Sequence, residues 1–448
     1  MSIKKISFLF CIFISAGIGL FAETLSLEQV RTLALANSRS LAKLNLSLQD
    51  SKLDEKSQLY SMLPSISATY GLSASYLNDW TFENPLDTYT ASASITIKQI
   101  LFQGGKAFLN KALNEIATES VKKDALSEYF NVLDAADNAY YEVLKAAASL
   151  EAAESDLETS ISNLAVAEIR QSNGMLNRGD YLKALADKED KENSRNLAKR
   201  TLSLNNTKIK SLTGLKESFE PERINFNMYE NVINRLASVS DDEVDKLYDD
   251  FLKILVQSNP SLAKSALSTQ RAEKKLSLAK RDYTPTISAT IVSAGVNYSA
   301  AKGFESPSSG SISITGSIPL DFWVMNNKIQ KSKNERDAAM LDYVSAETQI
   351  ETDLQGYLID TLKQAESVLS SQRSLEYNQL QFEYVSERYR LSQSSVSDLY
   401  DASSSLISSR NRLINSRFGF LQSLSKLRSL GAIDDEERLL KILMGNSL

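Results

Sequence analysis

Leu63–Tyr76 reads LPSISATYGLSASY, and its period changes at Pro64. The residues before it are charged and spaced as a helix. After it, Ile66, Ala68, Tyr70, Leu72, Ala74 and Tyr76 alternate without a break with Ser65, Ser67, Thr69, Gly71, Ser73 and Ser75. A period of two marks a strand with one apolar and one polar face. Proline disfavours the α conformation in the residue before it and cannot continue a helix, so the helix stops there for a local steric reason. The alternation resumes over Tyr89–Lys98, beyond a loop LNDWTFENPLDT (77–88) rich in turn residues. Together these segments predict a strand hairpin over 65–98.

The same event recurs at YTPTISAT (283–290). A shift of 221 residues lays SLAK (40–43) on SLAK (261–264), Pro64 on Pro285 and ISAT (66–69) on ISAT (287–290), with 12 identities in 30 ungapped positions. Chance would give about two on ordinary residue usage. The chain is therefore read as an internal duplication with halves at 23–240 and 241–448. The second hairpin is predicted over 286–318, from strands Thr286–Tyr298 and Ser311–Ile318 about a loop over 299–310. Its phase slips near Val292–Ser293, as at a β-bulge.

No glycine or proline occurs from Lys106 to Asn173, and the segment is rich in good helix formers. Leu133, Ala136, Tyr140, Val143, Ala147, Leu150, Ala153, Leu157, Ile161 and Leu164 recur three or four apart, as along a coiled-coil seam. A helix over 106–173 would be about 100 Å long. Its counterpart is predicted over 326–391, and returning helices over 180–211 and 397–429. Segments 212–244 and 430–448 read as smaller elements.

Strands of about ten residues with small and hydroxyl side chains on one face match a transmembrane barrel. A soluble, half-buried sheet alternates in the same way, so the pattern alone leaves both open. Four strands cannot close a transmembrane barrel, because the smallest have about eight. A barrel must then be shared: two chains would supply eight strands, three would supply twelve.

Composition removes several classes of function. Residues 1–22 read as a cleaved secretory signal: Lys4 and Lys5 precede an apolar run that ends at Ala22. The single cysteine, Cys11, lies inside that run, and the chain has no histidine. The mature chain therefore offers no disulfide, no thiolate nucleophile, no Cys/His zinc site and no histidine acid–base chemistry. No catalysis, cofactor or metal is expected. With 50 basic against 56 acidic residues, nothing points to nucleic acid. No apolar window beyond the leader is long enough for a transmembrane helix.

These features together resemble the TolC-type outer-membrane efflux protein family. The resemblance rests on the duplicated pre-proline helix with PSISATY and PTISAT, on QILFQGGK (99–106), on YFNVL (129–133), and on the turns RQSNGMLNRGDYL (170–182) and RYRLSQSSVSDLYDA (388–402). It implies an α+β membrane protein: a homotrimer whose chains each give four strands to a twelve-stranded barrel, continued by a long periplasmic α-helical barrel. It implies the exit duct of a tripartite efflux or type I secretion system, contacting outer-membrane lipid, a periplasmic adaptor (membrane fusion) protein and an inner-membrane pump, ABC or proton-coupled. At the periplasmic tip it implies adaptor-contact turns at Arg170 and Gly174 and at Arg388 and Ser392, where Ser392 stands in place of the family glycine. It implies a constriction formed by Asp398 and Asp401, with a closing link from Asp180 to Tyr389; Ser394 stands where the family has an arginine. The other reading of the residues is a periplasmic coiled-coil structural protein or adhesin without a channel.

Overall fold

The computed structural model describes residues 23–74, 89–293, 296–299, 303–305 and 310–445. The leader over 1–22 and the loop over 77–88 lie outside these residues. In the first half the elements are β1 (Glu23–Leu25), α1 (Leu27–Asn37), α2 (Arg39–Tyr60), β2 (Ser65–Ala74), β3 (Tyr89–Phe102), α3 (Lys106–Ser172), α4 (Arg178–Thr213), β4 (Phe219–Pro221) and α5 (Glu230–Leu236). In the second they are α6 (Asp241–Ser258), α7 (Pro260–Lys280), β5 (Thr286–Val292), β6 (Val296–Ser299), β7 (Gly303–Glu305), β8 (Ser311–Ser317), α8 (Phe322–Arg390), α9 (Val396–Gly431) and α10 (Glu436–Leu443). The described residues divide into two compact units: those within 23–37, 135–230 and 371–418 form one, and those within 38–134, 231–370 and 419–445 the other.

In the first unit, β1 pairs in parallel with β4. The Tyr140 hydroxyl lies 2.9 Å from the Leu25 carbonyl and 2.7 Å from that of Glu222, so one buried phenol ties both strands to α3. Burial, then the Glu222 carboxylate, pushes Tyr140 up to about 12. Arg31 of α1 grips Asp137 with two donors, Nε at 2.6 Å and Nη2 at 3.1 Å, and that carboxylate is fully buried. A bidentate geometry offsets much of the cost of taking both charges out of water.

The second unit holds the antiparallel sheet. α6 starts with a capping box between Ser240 and Glu243 and buries Leu247, Phe251 and Leu255. α10 packs against it and buries Leu439, Ile442 and Leu443. The Asn259 side chain caps α7 through the Leu262 N–H at 3.0 Å, with Pro260 in the first helical position. Its Nδ2 donates to Leu430 O at 2.9 Å. The sheet runs β2–β3–β5–β8, antiparallel throughout, and β6 and β7 extend the β5 and β8 positions.

Two expectations for the second hairpin need correction. The strand predicted over 286–298 leaves its ladder at Ser293: the Ile95 N–H donates to the Ser293 hydroxyl at 3.0 Å, so a side chain takes the place of a ladder carbonyl. This lies at the expected slip of phase near Val292–Ser293; residues 294–295 lie outside the described residues. The loop predicted over 299–310 contains β7, which pairs with β6 through Asn297–Glu305, Tyr298–Phe304 and Ser299–Gly303. The helical seam also drifts. Leu133, Ala136, Tyr140 and Val143 are buried, but Ala146 replaces Ala147 and Ile161 is half-exposed. An unsupercoiled helix advances by 3.6 residues per turn, so a fixed stripe loses phase over a long run. Among the described residues no helix is long and apolar enough to cross a membrane.

Candidate functional site

The residues singled out by the turns come together in the first unit, at the ends of α3 and α8 and the starts of α4 and α9. α3 ends in a Schellman turn. Met175 N donates to Arg170 O at 2.8 Å and Gly174 N to Gln171 O at 3.0 Å, with Gly174 at φ 72°. α8 ends in the same way: Gln393 N donates to Arg388 O at 2.8 Å and Ser392 N to Tyr389 O at 2.9 Å, with Ser392 at φ 61°. Ser392 thus adopts the left-handed backbone of Gly174.

The helices that follow begin alike. Asn177 accepts from Asp180 N at 2.8 Å, and its Nδ2 donates to the Asp180 carboxylate at 2.7 Å. Ser395 Oγ accepts from Asp398 N at 3.1 Å, while Asp398 Oδ2 accepts from Ser395 N at 3.0 Å and from Ser394 Oγ at 3.1 Å. This is a reciprocal capping box with aspartate as the third helical residue. Hydrogen bonding from Ser395, side chain then backbone, and from Ser394 holds the Asp398 carboxyl below the usual carboxylate range. Asp398 and Asp401 are both exposed on the first turns of α9.

Tyr389 is 3% exposed and packs with Val385, Val396, Leu399 and Ala402. Arg170 lies 4.8 Å over its ring and donates through Nη1 to its carbonyl at 3.4 Å. The buried Arg170 Nε has no hydrogen-bond partner. Arg388 instead reaches the Gln393 carbonyl at 2.9 Å and sits 5.7 Å over the exposed ring of Tyr384.

Sequence reasoning missed a charged group behind the turns. Arg410 of α9 meets Asp156 of α3 at 2.7 Å, and Lys191 meets Asp187 within α4 at 3.6 Å. Burial pushes Asp156 up, against the opposing pull of Arg410 and Lys191, and pushes Asp187 up against Lys191. Lys183 lies 5.3 Å over the Tyr400 ring and reaches Ser397 Oγ at 3.4 Å. Burial first, then the Asp187 carboxylate, raises the Tyr400 phenol well above its ordinary value. No single spacing in the sequence marks this group, because its partners lie on three helices far apart in the chain. Among the described residues no cluster of metal-ligating side chains occurs.

The model of the outer membrane efflux protein family matches residues 30–215 and 252–431, one segment in each half of the chain. No curated protein sequence matches. Solved structures do. CusC superposes with a TM-score of 0.78 at 15% identity, over 94% of this chain and 95% of its own. The outer-membrane protein VceC of Vibrio cholerae gives 0.72 at 14%, over 90% and 96%. The CmeC channel of Campylobacter jejuni gives 0.73 at 14%, over 96% and 94%. At these identities the superpositions establish the fold, and the family model supplies the rest: the chain belongs to the TolC-type outer membrane efflux protein family and is a protein of the outer membrane.

Proposed function

We propose that this chain is a passive exit duct that assembles as a trimer. The observation that carries the reading is the sheet. Ile66 pairs with Ile97, Ile97 with Ile291 and Ile291 with Ile312, so one row of isoleucines crosses all four strands. The adjacent row, Ser65–Lys98–Thr290–Ser313, lies on the opposite face and is polar throughout. Ile66 and Ile312 are 72% and 79% exposed, a pattern that suits lipid on one side and water on the other. Among the described strands, β2 pairs only with β3 and β8 only with β5. Both outer edges therefore offer unpaired backbone, which a membrane does not tolerate. Three copies joined edge to edge close twelve strands around a lumen, whereas eight strands would fill their own interior. A soluble adhesin would need to cover the isoleucine row, whose Ile66 and Ile312 are exposed in this chain.

On this reading the Arg170–Gly174 and Arg388–Ser392 turns meet a periplasmic adaptor, and an inner-membrane pump supplies the cargo. Asp398 and Asp401, repeated in three chains, form the constriction. A link from Asp180 to Tyr389 holds it closed on this reading; Asp180 bonds the Asn177 cap and Tyr389 lies beneath Arg170. Clustered carboxylates attract cations. Purified protein in planar bilayers is expected to conduct as a trimer and to be blocked by multivalent cations from the turn side. The double variant Asp398→Asn with Asp401→Asn, which keeps an oxygen for the capping box, is expected to relieve the block. A non-conducting monomer would sink the duct, and an unchanged block would remove these aspartates from the constriction.

A further inference from the structure

The apolar face of the sheet continues past the strands. Beyond the end of β8, which carries Ile312 and Ile314, come Ile318, Leu320 and Phe322, 54%, 64% and 52% exposed, the last at the start of α8. Before β5, which carries Ile287 and Ile291, come Pro285 and Tyr283, the latter at the end of a 3-10 turn over Arg281–Tyr283. The two lines meet: the Tyr283 and Phe322 rings stack with centroids 6.1 Å apart and planes 11° apart. Phe102 joins the aromatic end of this face because it pairs with Ile287. Trp323, beside the stack in sequence, is 71% exposed.

One step further from the strands, positive charge takes over. Lys106 opens α3, and Lys328 lies two turns into α8. Both donate to Asp282, at 2.7 and 2.5 Å. One carboxylate between two ammonium groups leaves the triad net positive and fixes the lysines in place. Lys280 and Arg281, both exposed, precede Asp282 directly in the chain and add positive charge beside it. Lys328 remains 60% exposed, and an ammonium has three donors, of which Asp282 takes one.

Isoleucines, then aromatics, then cations is the order of acyl chain, interface and phosphate at a membrane boundary. We propose that this junction binds the headgroup of an anionic phospholipid, its phosphate on Lys328 and Arg281 and its acyl chain along Leu320 and Phe322. The inference rests on reading the strands as membrane-spanning. The aliphatic stem of Lys328 can lie along the apolar face while its charge stays in water.

The test uses the full chain in detergent with an equimolar mixture of dioleoyl phosphatidylglycerol and dioleoyl phosphatidylcholine, and reads retained lipid by native mass spectrometry. Phosphatidylglycerol is expected to be retained preferentially, and Lys328→Gln with Arg281→Gln to lower that preference about fivefold per cation removed. Lys253→Gln, an exposed lysine on α6, is expected to leave it unchanged. Retention of both lipids alike, or a preference that survives the double substitution, overturns the proposal. Displacement of phosphatidylglycerol by millimolar inorganic phosphate overturns it too, because the site would then hold a simple anion. Conductance in phosphatidylcholine bilayers, measured on the same samples, reports on the duct and on folding separately. A wild type that fails to conduct speaks against the duct, and a conducting double variant without lipid preference supports the site.

Discussion

At Gly174 the chain turns on a residue free to take a positive φ. At Ser392 it makes the same turn with a residue that is not. A left-handed backbone costs an L-residue about 1 kcal/mol or more relative to glycine. The hydrogen bonds of the two turns match donor for donor, so the difference lies in what surrounds them. The first is anchored from within, by a half-buried arginine over a buried tyrosine. The second is held from without, by an exposed arginine and by hydroxyls from Ser394 and Ser395 around one aspartate. At 394, where the resemblance implied an arginine, the serine donates to the Asp398 carboxylate of its own helix's capping box. One duplicated backbone has thus been kept by two different sets of side chains.

The comparison breaks most visibly at the arginines. Arg170→Met keeps length and removes the cation over Tyr389. It is expected to cost about 1–2 kcal/mol of local stability, since a partly desolvated cation–π contact is worth about that much. Arg388→Met is expected to cost about 0.5 kcal/mol, because both of its contacts are in water. Amide exchange at Met175 and Gln393 reads the two turns separately. Equal losses at the two turns would mean that Tyr389 is no anchor.

Exchange of the turn residues is a smaller and sharper test. Gly174→Ser is expected to cost about 1 kcal/mol, seen as roughly fivefold faster exchange at Met175. A side chain there meets nothing within 4 Å, so the cost is one of backbone alone. Ser392→Gly is expected to slow exchange at Gln393 by the same factor. Equal and opposite effects would mean that the turns are equivalent apart from this residue. A smaller gain at 392 would show that the serine side chain contributes something that glycine cannot.

What the sequence made legible follows from where its signals are local. Period two, period 3.6 and the two prolines are properties of neighbouring residues, so the strands, the long helices and the duplication could be read directly. The register of the first hairpin follows from its alternation. The shift of 221 that aligns Pro64 with Pro285 becomes 218 at the turns, as Gly174 against Ser392 shows. The difference arises between Thr69 and Gly174, so no single shift carries the first half onto the second; the break at Ser293 shows as a slip of phase, whereas β7 inside an expected loop leaves no such mark. The partnerships behind the turns were not legible at all. Asp156 with Arg410, and Lys183 with Tyr400, depend on three helices meeting, and each of these residues alone reads as an ordinary solvated side chain.

Acid supplies the smallest test, and it separates the turn from the group behind it by sign. The Asp398 carboxyl is held below its ordinary value, so the native chain releases that proton more readily than the unfolded one. Its contribution is present above the ordinary value of about 3.9 and is lost as pH falls through the lowered one. Asp156 and Asp187 are raised, so the native chain binds their protons more tightly than the unfolded chain does. Between their raised values and about 3.9, stability grows as pH falls. Mild acid is therefore expected to slow exchange around Asp156 and Asp187 before stronger acid loosens the second turn. The double variant Asp156→Asn with Asp187→Asn is expected to abolish the first phase and leave the second. Asp398→Asn is expected to do the reverse, because an amide still closes the box but no longer titrates. If both phases moved together in either variant, the turn and the charges behind it would form one cooperative element, and the contrast between inner and outer anchoring would not hold.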